Sequence, residues 1–154
     1  MPTPKTARRP SRGTALAETG IIITLLIPIT FAVLDFAGIL YAFQAMQNGV
    51  SQATRYAVTG NHGTDGSGTA LTRDQSIRQA MRAATPGFQI ADNAFTFYNL
   101  SQGTPDSGGP NDIIRVTVVY DWQLLTPFLR PFFQGGYVTI RVASSMRNEP
   151  YPNS

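Results

Sequence analysis

The sequence predicts an α+β fold in which one long N-terminal helix covers a small antiparallel sheet of about three strands. Three features predict it: an apolar run at residues 21–41, apolar residues at helical spacing directly after that run, and three segments rich in Val, Ile and aromatic residues in the second half. A chain of 154 residues suits a single folded domain. Because it contains no cysteine, disulfide scaffolds, cysteine zinc sites and iron–sulfur clusters are excluded.

The apolar run at residues 21–41 predicts a transmembrane helix. It is 21 residues long and carries one charge, Asp35, and about 20 apolar residues cross a bilayer core about 30 Å thick. A secretory signal peptide is the competing interpretation, but its apolar region should span only about 7–15 residues and end in an A-x-A-like site. This run is longer and continues without a clear site of that kind, so we expect the helix to be retained.

The net positive charge comes from a short segment ahead of this helix. Residues 1–13 contain four basic side chains and no acid, namely Lys5, Arg8, Arg9 and Arg12. Residues 44–54, on the other flank, carry no charge, so the positive-inside rule places the leader in the cytoplasm and the bulk of the chain outside it. Because the net charge of +3 arises from this leader and not from a basic folded face, we expect no nucleic-acid partner.

The helix is expected to continue beyond the membrane, from about residue 14 to about residue 58. Apolar residues recur there at spacings of three and four, which places them in a stripe on one helical face: Phe43, Met46, Val50, Ala53 and Tyr56 or Ala57. Gly49 weakens the helix by about 1 kcal/mol relative to alanine without ending it. The glycine-rich residues 59–68 end it. The apolar stripe therefore needs a soluble partner surface.

A second helix and three strands are predicted after the glycine-rich loop. Thr72 and Gln75 form a capping-box pattern, and apolar residues at helical spacing follow it: Ile77, Ala80, Met81 and Ala84. Pro86 and Gly87 close this helix. Strands are predicted at residues 95–100, 113–122 and 137–146. Short connections favour an antiparallel sheet, and the long helix is a natural cover for one of its faces.

The segment between the last two strands is apolar but contains Pro127 and Pro131, which break regular structure. Its large apolar residues are Phe128, Leu129, Phe132 and Phe133. We favour the interpretation that they pack as a connector in the fold. The alternative is an amphipathic patch that touches the membrane surface.

Catalytic and metal-binding patterns are largely missing from the sequence. The single histidine, His62, lies in a glycine-rich loop without a second histidine to form a metal site, and nearby Asp65 lacks the spaced acidic ligands of a calcium loop. Paired carboxylates for acid–base work and the common nucleotide or nucleophile motifs do not occur. We therefore expect no enzyme, no catalytic residue, no metal and no cofactor.

Two carboxylates flank the membrane-embedded part of the helix. Glu18 and Asp35 are 17 positions apart, about 25 Å along a straight helix, and would lie near opposite sides of the hydrophobic slab. A charge at the bilayer centre costs about 2.5–3.5 kcal/mol on insertion scales, so such residues usually have a partner or a function. At the interfaces the cost is small. Both interpretations stay open for Asp35, whereas a functional role is favoured for Glu18.

The N-terminal residues support that role. Residues 12–18 read RGTALAE and precede an apolar helix, which resembles a type IV prepilin processing site: a basic leader, a glycine, and a retained helix with Glu as its fifth residue. The longer stretch resembles the TadE-like family of pseudopilins, which belong to the bacterial tight-adherence (Flp) pilus machinery. The points of resemblance are Arg12-Gly13, Glu18, Asp35-Phe36, Tyr41, Gln44, Asn48, residues 53–57 (ATRYA) and the tail at residues 143–149 (ASSMRNE).

The resemblance implies a minor pseudopilin with a pilin-like fold, anchored once in the bacterial inner membrane. It divides the chain into a leader at residues 1–13, a long helix at residues 14–58 and an extracytoplasmic domain at residues 59–154. It also implies cleavage between Gly13 and Thr14 by a prepilin peptidase, and assembly roles for Glu18 and Asp35. The implied partners are the lipid bilayer, other pilins and inner-membrane platform proteins. The alternative is a single-pass anchored binding or sensor module that does not polymerise.

Overall fold

A computed structural model describes residues 12–150 of the chain and confirms the α+β fold. Its elements are the helices α1 (Arg12–Val58) and α2 (Arg73–Ala84) and the strands β1 (Phe95–Asn99), β2 (Ile113–Gln123) and β3 (Tyr137–Arg147). Each predicted strand is present with its ends shifted by at most one residue. Residues 1–11, which hold most of the predicted leader, and residues 151–154 lie outside the described part.

The long helix α1 runs without interruption for 47 residues, about 70 Å at 1.5 Å per residue. It passes through Pro28, although a proline removes one backbone hydrogen bond from the helix interior. Three threonine hydroxyls in its first half each donate to the carbonyl four residues earlier, at 2.8–2.9 Å. This back-bonding satisfies hydroxyl groups that would otherwise lack partners in an apolar environment.

The three strands form one antiparallel sheet in the order β1-β2-β3. Alternate residues of β2 face the core, as expected for a strand with one covered face. In register, Val116 lies opposite Phe97 and Val118 lies opposite Val142. Buried residues of the sheet are Phe95, Phe97, Ile114, Val116, Val118, Ile140 and Val142.

The second half of α1 covers the inner face of this sheet, as predicted. Its buried stripe consists of Ala42, Met46, Val50, Ala53 and Ala57. One member of the predicted stripe is wrong, because Phe43 is 41% exposed and Ala42 is buried instead. Both positions are compatible with helical spacing to Met46, and a one-residue step turns a side chain about 100° around the helix. The smaller residue lies where the helix approaches the rest of the fold.

Helix α2 packs against α1 and begins with the predicted capping box. The Thr72 hydroxyl accepts from the Gln75 amide at 3.3 Å, and the Gln75 side-chain oxygen accepts from the Thr72 amide at 3.0 Å. Ile77 and Met81 are fully buried against the core. The predicted amphipathic character of α2 is therefore what attaches it to the domain.

The connector between β2 and β3, residues 124–136, is not packed as predicted. Phe128, Phe132 and Phe133 are 44%, 81% and 42% exposed, and Leu129 is half-buried. The end of the core is already closed by Leu124 and Thr126, which are buried. No second layer among the described residues covers the outer part of the connector, so its rings face outward.

Candidate functional site

The first half of α1 presents an almost fully exposed apolar surface. From residue 13 to residue 34 only Pro28 and Ala32 are half-buried. The large exposed residues are Leu16, Ile21, Ile22, Ile23, Leu25, Leu26, Ile27, Ile29, Phe31, Val33 and Leu34. This segment is about 33 Å long at 1.5 Å per residue, close to the roughly 30 Å core of a bilayer. The helix Gly13–Val58 is long and apolar enough to cross a membrane.

Glu18 lies on this exposed surface, one turn after Thr14. Residues four apart share a helical face, so the Glu18 carboxylate lies on the same side of α1 as position 14. Gly13 is also exposed, and a Cβ atom built on it would have nothing within 4 Å. Within the described chain, a larger side chain at position 13 therefore meets no steric obstacle.

Asp35 is buried, with 2% of its surface exposed, and it binds the connector. Its Oδ1 accepts from the Leu125 amide at 2.7 Å and its Oδ2 accepts from the Thr126 amide at 3.0 Å. The Thr126 hydroxyl also lies 3.5 Å from the carbonyl of Phe31. The carboxylate thus attaches the β2–β3 end of the sheet to α1, directly after the apolar segment at residues 13–34. Exposed apolar side chains continue on α1 at Phe36, Leu40 and Tyr41.

The structure separates the two predicted assembly residues. Glu18 lies on the free segment of α1, whereas Asp35 lies against the folded domain. Sequence reasoning identified Asp35 as unusual but did not find its partners. These are backbone amides 90 and 91 positions away, and the side-chain types in the connector carry no signal for such a contact.

The opposite end of the sheet is fastened to the end of α1 by the tail. The Glu149 amide donates to the Val58 carbonyl at 3.0 Å, and the Asn148 amide donates to the Asp112 carbonyl at 2.8 Å. The buried Asn148 side chain donates to the Gly109 carbonyl at 2.7 Å. The two segments that resemble the family after the membrane helix, the end of α1 and the tail, therefore meet at one place.

The remaining polar groups hold loops in place. The Thr104 hydroxyl lowers the pKa of Asp106, and the hydrogen bond from Arg82 lowers the pKa of Asp92. The Ser67 hydroxyl likewise lowers the pKa of Asp65, whose carboxylate also accepts from two backbone amides of its loop. Exposed His62 approaches the Leu71 carbonyl at 3.2 Å. Within residues 12–150 no cluster of three His, Asp or Glu residues suited to a metal occurs.

Comparison with known proteins identifies one family. The family described as TadE-like protein matches residues 13–55, which confirms the resemblance inferred from the sequence. The matched range contains the exposed apolar segment, Glu18, Asp35 and most of the stripe that covers the sheet. No curated protein and no solved structure matches the chain significantly. The match and the long apolar helix fit a membrane protein associated with the tight-adherence pilus.

Proposed function

We propose that this TadE-like chain is a minor pseudopilin-like assembly protein of a tight-adherence (Flp) pilus or a related secretion system, inserted in the bacterial inner membrane. The observation that carries the proposal is the position of the family match on α1. It includes an apolar segment at residues 13–34 that packs on almost nothing else in residues 12–150. A helix segment of this kind is available to lipid and to other helices.

The first proposed step is insertion and processing. The basic leader holds the N-terminus in the cytoplasm while α1 crosses the membrane. A prepilin peptidase then hydrolyses the peptide bond between Gly13 and Thr14, which removes the four basic leader residues and creates an amine on Thr14. Nothing in the rest of the described chain lies within 4 Å of a Cβ atom built at Gly13, so the folded domain does not cover this junction.

The second proposed step is lateral assembly in the membrane. Helices of neighbouring pilins pack side by side, and the Glu18 carboxylate pairs with the new N-terminal amine of a neighbour. A charge left without a partner in a dry helix bundle is strongly destabilising, so this pair selects the correct axial register. Pro28, which removes one backbone hydrogen bond, allows the helix to adjust locally as it leaves the bilayer.

Asp35 contributes to assembly indirectly in this proposal. Its carboxylate is already bound to the amides of Leu125 and Thr126. It therefore sets the orientation of the domain on α1 and does not bind a neighbour. Platform proteins of the inner membrane and other pilins would contact the exposed segment of α1 and the outer surface of the domain.

The test of this function is a Glu18→Ala variant expressed in cells that assemble the pilus. Because Glu18 is exposed and about 25 Å along the helix from Asp35, the variant should insert, fold and resist protease like the wild type. It should fail to support piliation and to co-purify with partner pilins. Glu18→Asp, with the same charge on a shorter side chain, should be intermediate.

Thr19→Ala is the matched control, because Thr19 is the exposed neighbour of Glu18 and its hydroxyl bonds only within the helix. It should leave piliation unchanged. Normal piliation by Glu18→Ala would reject the pairing mechanism. If Glu18→Ala cells are piliated normally and the wild-type protein also keeps its leader in cells that contain the peptidase, the anchored module that does not polymerise is favoured.

A further inference from the structure

The connector between β2 and β3 carries an apolar surface that the rest of the fold leaves uncovered. We call it the connector patch: Leu125, Phe128, Phe132 and Phe133, which are 67%, 44%, 81% and 42% exposed. Residues 124–136 contain no acid and one base, Arg130. The Arg130 Nε donates to the Leu124 carbonyl at 3.0 Å, so this side chain stabilises the conformation of the connector.

The connector lies at a defined level along α1. The two hydrogen bonds from the Leu125 and Thr126 amides to Asp35 fix it there. The next residues toward the N-terminus, 13–34, form the exposed apolar segment of about 33 Å. Exposed apolar side chains continue beyond it at Phe36, Leu40 and Tyr41. If this apolar surface fills the bilayer core, its far boundary lies between Asp35 and Tyr41, at the level of the connector patch.

The rest of the domain extends away from this boundary. The portion of α1 from Asp35 to Val58 is about 35 Å long, and β2, at about 3.4 Å per residue, is of similar length. The sheet meets α1 at Asp35 through the connector and at Val58 through Glu149. The strands therefore run alongside the helix, and the connector is the part of the sheet nearest the apolar segment.

We propose that the connector patch inserts into the interface between headgroups and acyl chains of the membrane that α1 crosses. Phe and Leu are typical of the apolar faces of segments that lie in this interface, and such faces bury about 5–10 Å into it. The absence of acids in the connector avoids repulsion from anionic lipids. The proposal rests on the proposed insertion of α1. The domain is then attached to the bilayer at two places, through α1 and through the connector patch, which limits its tilt relative to the membrane.

The test uses the full chain, which contains no cysteine, so single cysteines can carry a polarity-sensitive fluorophore. Gln134→Cys places the label in the connector and keeps all four patch residues. Asn61→Cys places it in the loop after Val58, at the far end of the domain, and Leu25→Cys places it in the apolar segment; all three positions are exposed. The protein is reconstituted at low density in vesicles of phosphatidylethanolamine and phosphatidylglycerol, with or without nitroxide-labelled lipids.

We expect the label at 134 to show a blue-shifted emission that is quenched most strongly by a nitroxide near the headgroups. The label at 25 should be quenched most strongly by a nitroxide deep in the acyl chains. Neither nitroxide should quench the label at 61. Replacing Phe128 and Phe132 by serine should abolish the shift at 134. The matched change Leu100→Ser, which removes an exposed apolar residue next to the loop at the far end, should not.

Each other outcome overturns a defined part of the proposal. A label at 134 as water-exposed as that at 61, with the label at 25 still in lipid, rejects the membrane contact and leaves the inserted helix standing. A blue shift at 134 that lipid nitroxides do not reduce shows that another copy of the chain covers the patch. A water-exposed label at 25 rejects the insertion of α1, and with it both this inference and the proposed function.

Discussion

Gly49 of α1 lies so close to Thr85 that a Cβ atom at position 49 would be 2.4 Å from the Thr85 Cγ2 atom. The Sδ atom of Met81 would be 2.8 Å from the same point. Thr85 is buried, and its hydroxyl donates to the Met81 carbonyl at 2.8 Å, which holds its methyl group against α1. Gly49 therefore lets α1 and the end of α2 approach each other closely, despite its low helix propensity.

Gly49→Ala should destabilise the domain. The better helix propensity of alanine, about 1 kcal/mol, is opposed by overpacking at the helix crossing, for which about 1–3 kcal/mol is typical. We expect a net loss of stability, measured as a lower midpoint of urea unfolding for the detergent-solubilised chain. Thr85→Ser in the same background removes the closest methyl group and should restore part of the loss.

Gly20→Ala is the matched control for this experiment. Gly20 lies in the same helix, but a Cβ atom there has nothing within 4 Å. The substitution should leave the stability of the domain unchanged. An equal loss in both variants would contradict the close approach at Gly49.

Local patterns in the sequence predict most of the fold, because each depends on neighbouring residues. The Thr72–Gln75 capping box and the run of Val, Ile and aromatic residues in β2 are of this kind, and the structure contains both elements. Gly49 and Asp35 are different, since their partners, Thr85 and the Thr126 amide, are distant in the chain. The sequence shows a glycine in a helix and an acid in an apolar run, but the reason for each is a tertiary contact.

The apolar segment of the candidate site was predictable from the sequence in the same way, because it depends only on neighbouring residues. The processing and assembly roles of residues 13, 14 and 18 follow from the resemblance of RGTALAE to a prepilin processing site and stay predictions. The exposure of Phe132 was not predictable, because apolar residues near prolines suit both a packed connector and an uncovered patch. These two interpretations are separated only by the sheet end at Asp35, beyond which nothing in residues 12–150 covers the rings.

Replacing Gly13 by leucine should block processing while leaving the fold intact. The position has open space around it, so any requirement for glycine comes from the peptidase that must reach the backbone. We expect the full-length precursor to accumulate in the membrane, and N-terminal sequencing of the wild type to begin at Thr14. Gly20→Ala, also in the exposed segment of α1, should be processed normally. A mature wild-type protein that still begins at Met1 in cells with the peptidase would refute the cleavage.

The residues after about position 42 should lie outside the cytoplasm. Four basic residues lie within residues 1–13 and none lies within residues 44–54, so the charge bias orients the helix. Protease added to spheroplasts should degrade the domain, and the same treatment of intact cells with a sealed outer membrane should not. If the domain is protected in spheroplasts and is digested only after lysis, it lies in the cytoplasm and the predicted topology is wrong.

Asp35→Ala should release the connector from α1. The substitution leaves the Leu125 and Thr126 amides without their acceptors, and a buried donor without a partner costs about 1–3 kcal/mol. Because Asn148 and Glu149 still hold the other end of the sheet, we expect local opening and not global unfolding. Hydrogen exchange should accelerate in residues 124–128 and stay slow in the middle of β2. Glu18→Ala removes an exposed acid from the same helix and should change neither of these exchange rates. If the connector is equally protected in the Asp35→Ala and Glu18→Ala variants, Asp35 does not hold it.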